Sequence, residues 1–155
     1  MVDLVGELNL IVNTLEESGL EYALCGDIAV AIHGYPRATR DIDFIIKPED
    51  LPAIRQAIKH IGFTIDGGVM SLKEGTDHEF RLWRVSRRAG AEIFTIDFIL
   101  VRSWLLDIWE QRQQFVLSDR TLTAVNLEGL RKMKTVGARP QDVADLDRLN
   151  DPNSE

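Results

Sequence analysis

Two aspartates, Asp41 and Asp43, are separated by a single residue at the start of an apolar run. The run continues to Lys47 and is broken by Pro48, which predicts a β-strand over Asp41–Lys47. Side chains alternate between the two faces of a strand, so both carboxylates would project from one face and repel each other. A divalent cation removes that repulsion, and Mg²⁺ prefers carboxylate oxygens as ligands. The spacing therefore predicts a magnesium site.

A third aspartate, Asp97, lies alone in the apolar segment Glu92–Val101. A strand this apolar is expected at the centre of a sheet, where a carboxylate without a partner would be costly. If that strand lies beside Asp41–Lys47, the three carboxylates converge. Two-metal phosphoryl transfer uses such a set of acids, because one ion lowers the proton affinity of the attacking oxygen while the other binds the phosphate oxygens. We therefore expect Asp41, Asp43 and Asp97 to bind metal and to carry catalysis.

A structural alternative stays open for the same residues. The pattern Asp-x-Asp often occurs by chance, and Arg37 and Arg40 lie close enough in sequence to pair with the two carboxylates on the surface. The chain would then be a plain structural or interaction domain. The turn at Gly26 that leads into a short helix, together with the lone acid at Asp97, favours the catalytic interpretation.

The surrounding segments indicate an α/β or α+β class. Helical spacing of apolar residues predicts helices over residues 3–18, Asp27–His33, Leu51–Ile61, 126–136 with Asn126 as N-cap, and from Pro140 onward, with Val143, Leu146 and Leu149 facing inward. Strands are predicted at Tyr22–Cys25, Asp41–Lys47, Phe63–Ile65, Val69–Leu72, Glu79–Ser86, Glu92–Val101, Phe115–Leu117 and Thr121–Val125. A short helix is expected within Ser103–Gln111. The mixture predicts a mixed β-sheet flanked by helices.

The length of 155 residues predicts one domain over residues 1–150 with a loose tail at 151–155. A formal net charge of −7 argues against a broad nucleic-acid-binding surface. The sequence shows no secretory signal and no apolar segment long enough to cross a bilayer. Its single cysteine, Cys25, cannot form an internal disulfide and is expected to be a buried packing residue. These features predict a cytoplasmic protein without a membrane partner.

The segment from Gly26 to Asp43 resembles the signature of minimal nucleotidyltransferases in the DNA polymerase beta superfamily. It is most similar to the bacterial group that includes the abortive-infection-type toxin nucleotidyltransferases. Their pattern is an apolar strand, Gly followed by Gly or Ser, a short helix, often His-Gly-x-x-Arg-x-Thr, and then Asp-x-Asp. The matching positions are Gly26, His33, Gly34, Arg37, Thr39, Asp41 and Asp43, and the distal positions that resemble the family are Leu130, Met133, Lys134, Arg139, Pro140, Gln141, Asp142 and Asp145.

The resemblance implies a nucleotidyltransferase fold and transfer of a nucleoside monophosphate from a nucleoside triphosphate (NTP) to a hydroxyl acceptor, usually with Mg²⁺. It implies that Asp41 and Asp43 hold the metal, that Asp97 assists the attacking hydroxyl, and that Lys134 neutralises phosphate charge. The positions implied for donor binding are Gly26, Asp27, Arg37, Thr39, Arg40 and Asp142. The acceptor would be a protein, an RNA end or a small molecule. A toxin-like role would add a protein partner, such as an antitoxin.

One position departs from the family pattern, because Asp27 replaces the Gly or Ser that follows Gly26. An aspartate there is a good N-cap, and its carboxylate would compete with donor phosphates for the amide groups at the start of the helix. The sequence is therefore compatible with an enzyme in which Asp27 swings away or the phosphates are held differently. It is equally compatible with a catalytically weak or inactive binding module.

Other charged residues have structural alternatives of their own. Without the resemblance, Lys134 would be interpreted as a solvated charge at a helix end, where it complements the helix dipole. Asp142 and Asp145 lie one turn apart and would be expected on a solvated polar face. His33 precedes Gly34 at the end of a helix and is expected to cap or pack rather than to bind a ligand.

Overall fold

A seven-stranded mixed β-sheet with helices on both faces forms the fold in the computed structural model, which describes residues 3–34, 41–117, 119–137 and 140–150. The strands are β1 (Ala23–Cys25), β2 (Asp41–Ile46), β3 (Ile65–Leu72), β4 (Phe80–Ala89), β5 (Glu92–Leu100), β6 (Gln113–Leu117) and β7 (Arg120–Ala124). The helices are α1 (Leu4–Glu17), α2 (Gly26–Ile32), α3 (Leu51–Lys59), α4 (Leu106–Glu110), α5 (Leu127–Gly137) and α6 (Pro140–Leu149). Short 3₁₀ turns at Pro48–Asp50 and Ser103–Leu105 lead into α3 and α4.

The strand order in the sheet is β3-β4-β5-β2-β1-β7-β6. Strands β2 and β5 pair in parallel, as do β1 and β7, and the other neighbours are antiparallel. The central position of β2 and β5 follows from their sequences, because nearly continuous apolar runs suit strands that are covered on both faces. The predicted class, a mixed sheet flanked by helices, is confirmed.

The two faces of the sheet carry separate hydrophobic clusters. On one face, α1 and α3 cover an aromatic stack in which Phe98 lies between Phe44 and Trp83, at ring-centroid distances of 5.3 and 5.5 Å. On the other face, residues of α2, α4, α5 and α6 pack around Ile45. Because side chains alternate along β2 and β5, the aspartates at 41, 43 and 97 project on this second face. The aromatic stack therefore fixes the strands from behind the acidic residues.

Local signals placed most helix ends correctly. Asp3 caps α1 through a hydrogen bond from the Gly6 amide to its Oδ1, at 3.1 Å. Asn126 caps α5 in the same way, since its Oδ1 accepts from the Gly129 amide at 2.8 Å, as the sequence predicts. Within the described residues, no helix has both the length and the apolar character that spanning a membrane requires.

Two predictions about local structure are wrong. The predicted strands Phe63–Ile65 and Val69–Leu72 are not separate, because β3 runs through the intervening Gly67-Gly68 pair with a shift of register between Asp66 and Val69, which is a β-bulge. Helix α6 is rotated relative to the expected inward face, since Val143 is 52% exposed while Asp142 and Asp145 are buried with Leu149. Burial of those carboxylates requires a charged partner, which is Lys134.

The aromatic stack predicts a large cost for truncating its central ring. Phe98→Ala should lower the free energy of unfolding by about 3–5 kcal/mol, because it leaves a cavity between two rings that cannot collapse easily. Urea denaturation measures this loss. Val116→Ala is the control, since Val116 is 75% exposed and its truncation should change stability by less than about 0.5 kcal/mol. Equal effects of the two substitutions would contradict the assignment of the core.

Candidate active site

Gly26 allows the second aspartate of the Asp-x-Asp pair to lie against the main chain. Strand β1 ends at Cys25, which pairs with Asp43 of the antiparallel β2, and α2 begins at the next residue. Gly26 has a φ of +63°, and a Cβ atom there would overlap Oδ2 of Asp43. Both the backbone conformation and the close approach require glycine. The strand–turn–helix arrangement that the sequence predicts is therefore present, and its turn directly contacts the acidic strand.

Asp43 and Asp97 lie opposite each other on neighbouring parallel strands. The register of β2 and β5 pairs Asp43 with Asp97 and Asp41 with Thr95. Asp97 is 9% exposed, Asp43 is half-buried and Asp41 is exposed at the start of its strand. Parallel neighbours are about 4.8 Å apart, so the two inner aspartates place negative charge side by side on one face of the sheet. Strands β2 and β5 are therefore adjacent, as the sequence analysis required.

Among the described residues, negative charge exceeds positive charge around Asp43. Burial, and then the charges of Asp97, Asp27 and Asp41, raise the pKa of Asp43 to about 7, and Lys134 offsets only part of this effect. Burial and the charge of Asp97 also raise the pKa of Asp41, which Arg84 counteracts. The ionised form of Asp43 is therefore costly in this environment. A bound cation would remove that cost.

Arg84 is a site residue that the sequence analysis missed. It lies on β4 opposite Asp97, and its guanidinium donates from Nε to Oδ1 at 2.8 Å and from Nη2 to Oδ2 at 2.9 Å. This two-pronged geometry is the strong form of a carboxylate–guanidinium contact. The alternation of β4 puts Arg84 on one face with Leu82, but only the register between β4 and β5 identifies Asp97 as its partner.

The structure brings Asp41, Asp43 and Asp97 to one face of the sheet, and their joint binding of a metal ion stays a prediction. As the side chains are placed, no three carboxylate, imidazole or thiol groups of the described residues are arranged to hold a metal ion. Arg84 contributes to this placement of Asp97, because it engages both of the carboxylate oxygens. The donor set still fits Mg²⁺, since all three side chains are carboxylates and Asp43 carries a charge that burial makes costly. Arg84 already occupies one acceptor position on each oxygen of Asp97, so a cation at Asp97 would compete with the guanidinium.

Lys134 is buried in an ion cluster, and this contradicts the interpretation of a solvated charge at a helix end. Its Nζ lies 3.2 Å from Oδ1 of Asp142 and 3.0 Å from Oδ2 of Asp145, with a further carboxylate oxygen, Oδ1 of Asp27, at 3.9 Å. The side chains of Lys134, Asp142 and Asp145 are 2–5% exposed. The expected polar face of α6 is thus the face that packs on α5, because the buried ammonium group requires carboxylate partners.

Asp27 does not occupy the N-cap position that the sequence suggested. The N-cap of α2 is Cys25, whose side chain makes no capping bond, and Asp27 is the second residue of the helix. Its Oδ1 accepts a hydrogen bond from Nε2 of Gln141 on α6, at 3.1 Å. Asp27 therefore connects α2 to the ion cluster of α5 and α6, and it contributes negative charge beside Asp43.

The remaining predicted site residues have different outcomes. Arg37, Thr39 and Arg40, and also Arg139, lie outside the described residues. His33 is the C-cap residue of α2, and Nε2 of its ring lies 3.2 Å from the Val125 carbonyl oxygen, so it packs as expected. Cys25 is buried, and burial raises the pKa of its thiol well above the usual value, which suits a packing residue rather than a nucleophile.

The buried ion cluster predicts a strong effect of removing its lysine, Lys134. Lys134→Met should lower the free energy of unfolding by about 3–5 kcal/mol, because it leaves Asp142 and Asp145 buried without the ammonium group. Chemical denaturation measures the loss, and adding Asp142→Asn and Asp145→Asn should recover part of it. Lys132→Met is the matched control on the exposed side of α5. A loss below about 1 kcal/mol for Lys134→Met would contradict the proposed coupling.

Because the pKa of Asp43 is raised, replacing its carboxylate with a neutral amide should increase the stability of the folded protein by an amount that depends on pH. The unfolded-state pKa is about 3.9, and the folded-state value is about 7. The folded protein therefore holds this proton more tightly, and its stability falls as the pH rises from about 4 to 7. Asp43→Asn cannot lose that stability, so in EDTA its advantage over the wild type should increase between pH 4.5 and pH 8.

Urea midpoints at pH 4.5, 6 and 8 measure this advantage. Glu110→Gln, which removes an exposed carboxylate on α4, corrects for the general effect of one lost charge. A constant difference between Asp43→Asn and the wild type across this range would show that Asp43 does not titrate there.

Known structures with a similar fold are nucleotidyltransferases, although no protein-family model and no curated protein matches the sequence. The lincosamide antibiotic adenylyltransferase LnuA superposes with a TM-score of 0.63 at 16% identity, over 93% of this chain and 94% of LnuA. ANT(2″)-Ia, solved with adenylyl-2″-tobramycin, gives 0.59 at 13% identity, over 96% and 87%. An antigenic nucleotidyltransferase-like protein from Paracoccidioides brasiliensis gives 0.55 at 14% identity, over 90% and 72%. The chain has the nucleotidyltransferase fold.

Proposed function

We propose that this protein is a magnesium-dependent nucleotidyltransferase that transfers a nucleoside monophosphate from an NTP to a hydroxyl acceptor. The observation that carries the proposal is the pairing of Asp43 with Asp97 on the central parallel strands of a nucleotidyltransferase fold. The excess negative charge at Asp43 supports it, because that charge is costly to the protein alone and favourable for a cation.

The residues of the site have separate roles in this proposal. Asp41, Asp43 and Asp97 would hold Mg²⁺, which when bound would lower the proton affinity of the acceptor hydroxyl and neutralise phosphate charge. Asp97 would accept the hydroxyl proton. The acceptor oxygen forms a bond to the α-phosphorus as the bond from that phosphorus to the bridging oxygen breaks, and pyrophosphate leaves.

Lys134 and the start of α2 would face the donor. Lys134 lies 3.9 Å from Asp27 and already offsets part of the charge around Asp43, so its field extends to the site where the phosphates are expected. The amide groups at the start of α2, which follow Gly26, would contribute to the same region. Arg37, Thr39, Arg40 and Asp142 remain the further residues that we propose for donor binding.

A cavity lies beside α5, and none of its described lining residues belongs to the carboxylate site. It has a volume of about 490 Å³ and lies between the β3–β4 turn and α5, lined by Lys73, Thr76, His78, Lys132, Thr135 and Val136. Pockets of this size suit small molecules. LnuA is a lincosamide antibiotic adenylyltransferase, and ANT(2″)-Ia was solved in complex with adenylyl-2″-tobramycin. These two similar structures favour a small-molecule acceptor over a protein or an RNA end.

The second candidate function is a catalytically weak or inactive binding module of the same fold. Asp27 favours it, because its charge adds to the negative potential at Asp43 and would oppose a triphosphate. Its hydrogen bond from Gln141 also holds the carboxylate beside the start of α2. In either form, a toxin-like role with an antitoxin as protein partner is a further proposal. Transfer of label from a triphosphate to protein or RNA tests this role.

Labelled triphosphates test the proposed activity directly. Each of the four NTPs, carrying ³²P at the α-phosphate, is incubated with the protein, Mg²⁺, and separately a metabolite extract, total RNA or no acceptor. We expect label in the small-molecule fraction, reduced at least about 100-fold by Asp43→Asn. Label on RNA or on the protein itself would support the toxin-like role. EDTA should abolish all transfer.

Asp27→Gly separates the two candidate functions in the same assay. If the wild type is active, the enzyme proposal holds and the substitution should alter donor affinity. Activity that appears only in Asp27→Gly would identify the natural chain as a binding module derived from an enzyme. If neither protein transfers label and neither binds NTP, both functions are contradicted.

A further inference from the structure

Arg84 engages both oxygens of the carboxylate that the proposed metal site needs. Its Nε donates to Oδ1 of Asp97 at 2.8 Å and its Nη2 donates to Oδ2 at 2.9 Å. Arg84 and Asp97 face each other in the register of β4 and β5, so the contact is fixed by the sheet rather than by a loop. A cation at Asp43 and Asp97 would therefore compete with the guanidinium for the same oxygen atoms.

The two partners differ in exposure, and this decides which of them can move. The Asp97 side chain is 13% exposed, whereas the Arg84 side chain is 47% exposed. Asp97 projects from the centre of the sheet, between neighbours on both strands, while the guanidinium of Arg84 borders solvent. The arginine can turn away at the cost of an ion pair that water partly screens, and the sheet itself need not change.

The charge around the pair gives the contact a function. Arg84 neutralises Asp97, and the charge of Asp97 is also the foremost electrostatic influence on Asp43 and Asp41. Without Arg84, the repulsion among the carboxylates on this face would increase. Because Arg84 neutralises Asp97, the site binds a free cation less strongly.

We propose that Arg84 is a positioning residue that holds Asp97 through both carboxylate oxygens and is displaced from it when a divalent cation binds. The proposal rests on the proposed function, because it assumes that Asp43 and Asp97 form a metal site. A free cation must then replace the guanidinium, so the affinity for the metal alone is kept low. The released guanidinium stays on the active face, where it can contact the anionic donor that arrives with the cation.

Metal affinity without substrate is the first test. Mn²⁺ serves as the probe, and its binding to the full chain is measured by electron paramagnetic resonance and calorimetry. Arg84→Gln should bind Mn²⁺ about tenfold more tightly than the wild type, because no guanidinium has to be displaced. Arg88→Gln is the matched control on the same strand and face of β4, and it should leave the affinity unchanged. Circular dichroism confirms that each variant is folded.

Arg84→Lys distinguishes displacement from simple loss of positive charge. Lysine keeps the charge but lacks the planar fork that engages both carboxylate oxygens. If the fork is what competes with the cation, Arg84→Lys should also bind Mn²⁺ more tightly than the wild type. If Arg84→Lys equals the wild type and only Arg84→Gln gains affinity, the effect is one of charge alone, and the displacement proposal is overturned.

Nuclear magnetic resonance observes the arginine itself. The Nε–H signal of Arg84, assigned by its absence in Arg84→Gln, should be protected from exchange with water in EDTA and should lose that protection as Mg²⁺ is added. A signal that stays protected at saturating Mg²⁺ would overturn the proposal. If neither the wild type nor Arg84→Gln binds Mn²⁺, both the metal site and the proposed function are contradicted. If both proteins bind Mn²⁺ equally well, only the role of Arg84 is overturned.

Discussion

The repulsion between carboxylates on two adjacent parallel strands is the constraint around which this site is built. Asp43 and Asp97 are in register, and the fold cannot separate them without breaking the β2–β5 pairing at the centre of the sheet. The aromatic stack behind them keeps both strands in place. Gly26 removes the one side chain that would push Asp43 away. The fold thus uses packing energy to hold carboxylates together, an arrangement that is typical of functional sites.

The protein compensates this charge with cations placed on two sides. Arg84 approaches from β4 and neutralises Asp97, while Lys134 approaches from α5 and is itself held by Asp142 and Asp145 of α6. Asp27 lies between the second group and the strand pair, and its bond from Gln141 connects α2 with α6. The C-terminal helix is therefore part of the electrostatic design of the site as well as of the core.

Much of this arrangement could be predicted from the sequence, and the parts that could not depend on long-range pairing. The Asp-x-Asp strand, the glycine turn and the Asn126 cap are local patterns, and the structure shows each of them. The contact of Arg84 required the register of β4 against β5, which no local pattern specifies. The orientation of α6 was mispredicted because apolar periodicity treats aspartates as solvated, whereas Asp142 and Asp145 are buried with Lys134.

A divalent cation bound between Asp43 and Asp97 is the interaction on which the proposed activity depends. A crystal structure with Mn²⁺ and a non-hydrolysable NTP analogue, in which anomalous scattering locates the metal, tests it most directly. We predict an anomalous peak that carboxylate oxygens of both residues coordinate at about 2.1 Å, with the triphosphate beside the start of α2. Triphosphate bound elsewhere on the protein, or bound there with Asp97 still held by Arg84 and no metal at Asp43, would contradict it.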